Sequence, residues 1–405
     1  MSVTVPGRSA VRLHRLTMVP ENDGVMVGRP DIGSYALFPA EGAQALRQLD
    51  GGKTLAEVAD WYAQASGETL DIDDFLETLD ELQFTLAEGE QLENVKPVRW
   101  QRLGRWTFAT PAWLAYLAVI TGAVLAMAHE PALRPSYRSL FFTDRLSLIP
   151  IVFTLLAMPC IVIHEAFHAL AGRRLGLPSS FGIGRRLYFL VAETRLDSLL
   201  SVPRRQRYLP FLAGMLADLV VMSLLTLLAA GLRSSGSPAW CPALCVAIAF
   251  SCVLRLIWQF MFYLETDLYF LATNALHCSD LQNASRFRIR VLTARWLRRP
   301  APETDAEWSD SDLAAARWYA PLLIAGYGFS LGSLAWVGLP TTARFWTTVF
   351  HRLTQSGTST GEIVDALIFL GLTLAQLGLL IYVTIRDWRA RRREARITSS
   401  MGVPA

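Results

Sequence analysis

Six stretches of this chain read as predominantly apolar runs of about 20 residues, the length a helix needs to cross the hydrocarbon core of a bilayer. They cover about residues 108–128, 146–171, 208–231, 242–271, 319–339 and 361–385. Such runs restrict the fold to helices, because a lipid-exposed segment must satisfy its own backbone polar groups. Composition agrees: 52% of residues are hydrophobic and 18% charged, and the mean hydropathy is +0.30. The expected class is mainly α, a polytopic membrane helix bundle of about six spans over residues 108–390, with a modest soluble part.

Charge gives the expected orientation. The net charge of +3 is too small to suggest nucleic-acid binding, and the basic residues, nearly all arginine, gather at the ends of apolar runs. They crowd Lys96–Arg105, Arg173–Arg207, Arg286–Arg299 and Arg386–Arg396, whereas the intervening loops carry scattered ones. By the positive-inside rule both termini, including a tail at 391–405, are expected in the cytoplasm, and the end of the second span lies toward the cytoplasmic side. The five cysteines show no CxxC pairing and read as free thiols. Met1–Arg29 is mixed and polar, so the first span is expected to direct insertion.

Residues 1–90 read as a small soluble α+β domain, joined to the first span by a basic linker at 91–107. Weak alternation from Arg12 to Pro39, broken at Asn22–Gly24 and Gly33–Ser34, predicts a β-hairpin region. Three short amphipathic helices are expected after it: about Glu41 to Leu49, a second opened by Thr54 and Glu57 at capping-box spacing, and about Asp71 to Leu82. The run from Ser34 to Val58, with Leu49-Asp50-Gly51 before the Thr-capped helix, resembles the small peptide chaperone of the pyrroloquinoline quinone pathway. It is similar also to the related domains that recognise leader peptides of ribosomally made, modified peptides. That resemblance implies a winged-helix-like fold and a peptide partner; other winged-helix folds share the capped helix, so a plain structural module is the competing interpretation.

The chemistry-bearing motif closes the second apolar run, where His164, Glu165 and His168 form the pattern HExxH. On a helix, positions i and i+4 share a face, so both imidazoles can reach one metal ion. In zinc hydrolases with this pattern the histidines hold zinc and the glutamate takes a proton from the attacking water. Ionisable side chains at membrane depth are costly, which favours a functional role over a pair of core histidines. A third ligand is needed, and its expected source is the end of the fourth run, where Glu265 and Asp267 interrupt apolar sequence. Two residues apart on a helix they point about 200° apart, so at most one can serve.

Residues 146–281 resemble the site-2 protease family of intramembrane zinc metalloproteases. The zinc-binding helix matches, and Leu212–Asp218 is similar to that family's Ala-Gly-Pro-Leu-Ala-Asn stretch, with Met215 in place of proline and Asp218 in place of asparagine. The usual Leu-Asp-Gly segment is absent; Thr266–Tyr269 and Ala192–Arg207 instead look like segments of a peptide zinc metalloprotease branch. The resemblance implies zinc held by His164, His168 and Asp267, with Glu165 catalytic and with Gly214 and Asp218 near substrate. From its depth in the third span, Asp218 is equally expected to form an ion pair with Arg255 in the fourth. Leu187–Ala192 is a candidate edge strand that could hold a substrate extended.

Together these features predict an integral protein of a bacterial cell membrane, a zinc endopeptidase that removes the leader from, or matures, a precursor peptide. Its partners would be that peptide or protein substrate and the lipid bilayer, with no nucleic acid. Two alternatives stand beside it: regulated intramembrane proteolysis of a signalling protein, and a non-catalytic immunity or export-associated membrane protein that keeps the metal for structure.

Overall fold

The computed structural model describes residues 11–21, 24–87, 97–140, 148–300, 308–340 and 360–400, with a few single positions between them. Residues 91–96 of the expected linker, 146–147 of the second apolar run and 401–405 of the tail lie outside the described residues. The chain divides into two compact units. One comprises Met1–Thr107, Ala169–Ser180 and Arg195–Pro210, and the other Phe108–His168, Phe181–Thr194 and Phe211–Ala405.

In the first unit, strands β1 (Thr17–Glu21), β2 (Gly24–Arg29) and β3 (Ser34–Phe38) form an antiparallel sheet in the order β1-β2-β3. Helices α1 (Ala40–Asp50), α2 (Leu55–Ser66) and α3 (Ile72–Glu81) follow, close to the expected boundaries. Their ends are set locally. Thr54 and Glu57 exchange capping hydrogen bonds, and the Asp71 carboxylate accepts from the N–H groups of Asp73 and Asp74. Val27, Leu46, Leu49, Val58, Leu79 and Phe84 fill one core between sheet and helices. Each loses most of its surface to it, which favours folding by about 1.5–3 kcal/mol per side chain.

The first unit extends beyond residue 90. The last part of the expected linker is a helix, α4 (Gln101–Thr107), packed so closely on the end of the helix that carries His164 and His168 that a Cβ on Gly104 would lie 2.4 Å from the Leu170 carbonyl oxygen. Glu21, at the end of β1, pairs with both Arg204 and Arg207, with the Arg207 Nη2 2.7 Å from its Oε1. Ser198, in a 3-10 turn at Asp197–Ser201, donates its hydroxyl to the Pro30 carbonyl at 3.1 Å. Ion pairs between segments nearly two hundred residues apart have no local signature in the sequence.

Among the described residues, four helices are long and apolar enough to cross a membrane: α5 (Thr110–His129), the portion Thr154–Arg174 of α6 (Leu148–Arg174), α7 (Arg204–Ser234) and α8 (Trp240–Trp258). Leu114, Leu117, Val124 and Leu125 of α5 are exposed, as side chains facing lipid would be. The fourth apolar run is not one helix. After Trp258 the chain makes a 3-10 turn at Phe262–Leu264, puts Glu265 in the left-handed region at φ 53°, and restarts as α9 (Asp267–Ala275). The apolar residues from Phe260 to Leu264 disguise this break in the sequence.

Helices α10 (Leu281–Trp296) and α11 (Asp310–Ser333) pack against α9 around Tyr263, Tyr269, Leu281, Tyr319 and Leu323. The expected span at 319–339 falls on the second half of α11 and a π-helical stretch at Leu334–Gly338, and that at 361–385 on the C-terminal helix Thr360–Ser400. Buried Asp312 accepts hydrogen bonds from the N–H groups of Ser279 and Asp280 and the hydroxyls of Ser279 and Ser309, fixing the turn before α10. Strands β4 (Ser180–Arg186) and β5 (Phe189–Arg195) form a two-stranded sheet turned at Leu187 and Tyr188. Phe189 packs edge-on against Trp258 at 4.7 Å, anchoring the hairpin to the end of α8.

Candidate metal centre

Three donor atoms converge in the second unit. His164 Nε2 and His168 Nε2 are 3.2 Å apart, and Asp267 Oδ2 lies 3.3 Å from the first and 3.2 Å from the second. In a tetrahedral zinc site with bonds of about 2.0–2.1 Å, neighbouring ligand atoms are about 3.4 Å apart by geometry. The near-equilateral triangle therefore has the dimensions of one face of such a site. Nitrogen and carboxylate donors in this number suit zinc with one position left for water or substrate. The two histidines are buried, at 6% and 7% exposure.

Each donor is delivered by a definable element. The histidines sit one turn apart on α6, as their spacing requires. Asp267 is the first residue of α9, and Gln259 places it: the Gln259 side-chain oxygen accepts from the Asp267 N–H at 3.0 Å, while its carbonyl accepts from the Thr266 hydroxyl at 2.7 Å. Glu265 turns elsewhere, with its carboxylate 3.4 Å from Nη1 of Arg186, which also pairs with Glu193 at 3.5 Å. The structure thus gathers Asp267 and not Glu265 into the histidine cluster. Their opposition is set by the backbone reversal at Glu265, not by a continuous helix.

Gly214 lies against the imidazoles on α7. A Cβ there would stand 2.2 Å from His168 Nε2 and 2.4 Å from His164 Nε2, inside the space a metal ion needs. The sequence expectation put Gly214 near substrate; the structure places its backbone directly against the two imidazoles, where a side chain would not fit.

Asp218, one turn further along α7, is 1% exposed and makes two contacts. Its Oδ2 is 2.9 Å from His164 Nδ1, and its Oδ1 accepts from Arg255 Nε at 2.9 Å and Nη2 at 2.6 Å. The expected ion pair with Arg255 is present; the bond to His164 was not foreseen, because depth along two helices says nothing about which side chains face.

Glu165 Oε2 accepts a hydrogen bond from the Thr194 hydroxyl at 2.7 Å. Thr194 lies on β5, which continues the candidate edge strand, and so the hairpin beside α6 also holds that helix's glutamate. Sequence reading missed Thr194 and Gln259, both ordinary polar residues; the only signal was that Thr194 falls inside the Ala192–Arg207 segment singled out by resemblance. The chain matches no protein-family model, no curated protein and no solved structure, so the geometry of these residues carries the functional argument.

Proposed function

We propose that the chain is a membrane-embedded zinc endopeptidase that cleaves a peptide precursor, with its N-terminal domain recognising the leader. The observation that supports this most is the face of three donors, His164, His168 and Asp267, at tetrahedral ligand separations, beside a glutamate already oriented by Thr194.

A zinc ion held by these residues would supply Lewis acidity, bringing the pKa of a water near neutrality and polarising a scissile carbonyl. The remaining work belongs to the chain. Glu165 would take the proton of the attacking water and pass it to the leaving amine, and Thr194 keeps its carboxylate aimed while the strand carrying it stays paired. Gly214 keeps backbone, not side chain, against the ligand atoms, leaving the fourth position open. The β4–β5 hairpin offers backbone groups to an extended substrate segment by strand addition.

The resemblance of residues 34–58 to leader-recognition domains supports a precursor peptide as the substrate, since one unit would bind a leader and the other would cut. The test compares purified wild type with Glu165→Gln, measuring zinc content and cleavage of precursor peptides. The expected result is one zinc per chain in both and cleavage in wild type alone. Zinc in both without cleavage of any peptide would favour a structural metal in a non-catalytic membrane protein.

A further inference from the structure

The two oxygens of Asp218 serve two different partners, and the chemistry of each partner dictates what the group between them must be. Arg255 offers only donors, so Oδ1, which faces its Nε and Nη2, has to accept. Its other contacts, Ser251 Oγ at 3.4 Å from Nη1 and Cys252 Sγ at 3.1 Å from Nη2, hold the guanidinium in that orientation. Oδ2 faces His164 Nδ1 at 2.9 Å, and a carboxylate there accepts only from a ring that carries its proton on Nδ1. In the neutral ring the lone pair is then on Nε2, the atom that faces His168 and Asp267.

An amide at this position cannot satisfy both neighbours. With its oxygen toward Arg255, its NH2 would point at Nδ1 and favour a ring protonated on Nε2, where the metal must bind. With its oxygen toward His164, its NH2 would meet the guanidinium donors. The aspartate and Arg255 therefore belong together, and the asparagine found in the resembled protease stretch would not work beside this arginine.

We propose that Asp218, braced by Arg255, is a positioning residue that fixes the tautomer and orientation of His164 for metal binding, and that it does not touch substrate. This rests on the zinc reading of the site. At 1% exposure with both oxygens engaged, Asp218 has no face to offer a peptide.

The experiment measures zinc affinity of full-length protein by competition with a chromogenic chelator for wild type, Asp218→Asn, Arg255→Met and the double variant Asp218→Asn/Arg255→Met. Loss of a carboxylate behind a ligating histidine weakens metal binding about 10–100-fold. That loss is expected for Asp218→Asn. The double variant, in which the amide oxygen is free to face Nδ1, should return to within about threefold of wild type on the same scale. If the single variant does not accumulate as folded protein, the double variant decides alone. Asp218→Asn binding zinc as wild type does, with only KM for peptide raised, would overturn the proposal in favour of a substrate contact, and so would a double variant that binds no better than about a hundredth of wild type. A wild-type chain without stoichiometric zinc would instead overturn the metal reading itself.

Discussion

The Thr194 hydroxyl stands 2.7 Å from Oε2 of Glu165 and 2.9 Å from the same residue's carbonyl oxygen, so one side chain on β5 addresses both the carboxylate and the helix backbone beneath it. Its single proton goes to the stronger acceptor, the carboxylate, and restricts the rotamer of the proposed general base. Thr194→Val, nearly the same shape, should lower kcat about tenfold, because general-base assistance of about 10²–10⁴-fold depends on alignment. Zinc content should not change. Thr194→Ser should retain most activity, and equal kcat for all three proteins would remove Thr194 from the mechanism.

Gly214 gives a sharper test of the metal centre than ligand deletion does. Gly214→Ala adds one methyl group 2.2 Å from His168 Nε2, in a position helices otherwise tolerate well. The variant should fold, show an unchanged helical signal and bind no zinc. Stoichiometric zinc in Gly214→Ala would mean that the donor triangle is not where the metal sits.

Ligand assignments are checked the same way. His164→Ala, His168→Ala and Asp267→Ala should each lose zinc, while Glu165→Gln and Glu265→Ala keep it, because Glu265 pairs with Arg186 and stands outside the triangle. Zinc lost from Glu265→Ala and retained by Asp267→Ala would reverse the third ligand.

The particulars show why sequence revealed some of this and not the rest. His164 and His168 were legible because helical periodicity converts a spacing of four directly into a shared face. The capping box of Thr54 and Glu57 was legible for the same reason: the two residues are three apart. Asp267 could be chosen over Glu265 only through a resemblance, since the turn from Phe260 to Glu265 is written in apolar residues that suit a continuous helix equally well. A contact set by packing between helices far apart in sequence, such as Asp218 with His164, leaves no pattern in a single chain, and neither does the bond of Gln259 to the N–H of Asp267, which depends on the path of the turn between them.

Orientation in the membrane is expected from charge alone and needs its own measurement. Reporter fusions after Arg207 and after Arg396 should report the cytoplasm, and a fusion at Gly236, in the short connection between α7 and α8, should report the opposite side. The reverse pattern would move the metal centre to the other face of the bilayer.

The last prediction concerns the N-terminal domain. A flexible tether would only raise the local concentration of a captured precursor, and its removal would raise KM and leave the enzyme otherwise intact. The ion pairs made by Glu21 argue for a second contribution. Its side chain is 3% exposed and that of Arg207 6%, and Arg207 also donates to the carbonyls of Leu200 and Val202, so the carboxylate and the first turn of α7 form one buried polar cluster. Removing one partner of a buried pair leaves the other charge uncompensated, at a cost of about 3–5 kcal/mol. Glu21→Gln in the full-length protein should therefore lower the melting temperature measurably in detergent while leaving KM for the precursor unchanged, because both side chains of the pair are buried within the unit and offer no surface to a peptide. A chain beginning at Gln91 should show both effects, reduced stability and raised KM. An unchanged melting temperature in Glu21→Gln would show that water already solvates the cluster. Equal KM for the truncated and full-length proteins, across a precursor concentration series, would reduce the domain to a structural brace.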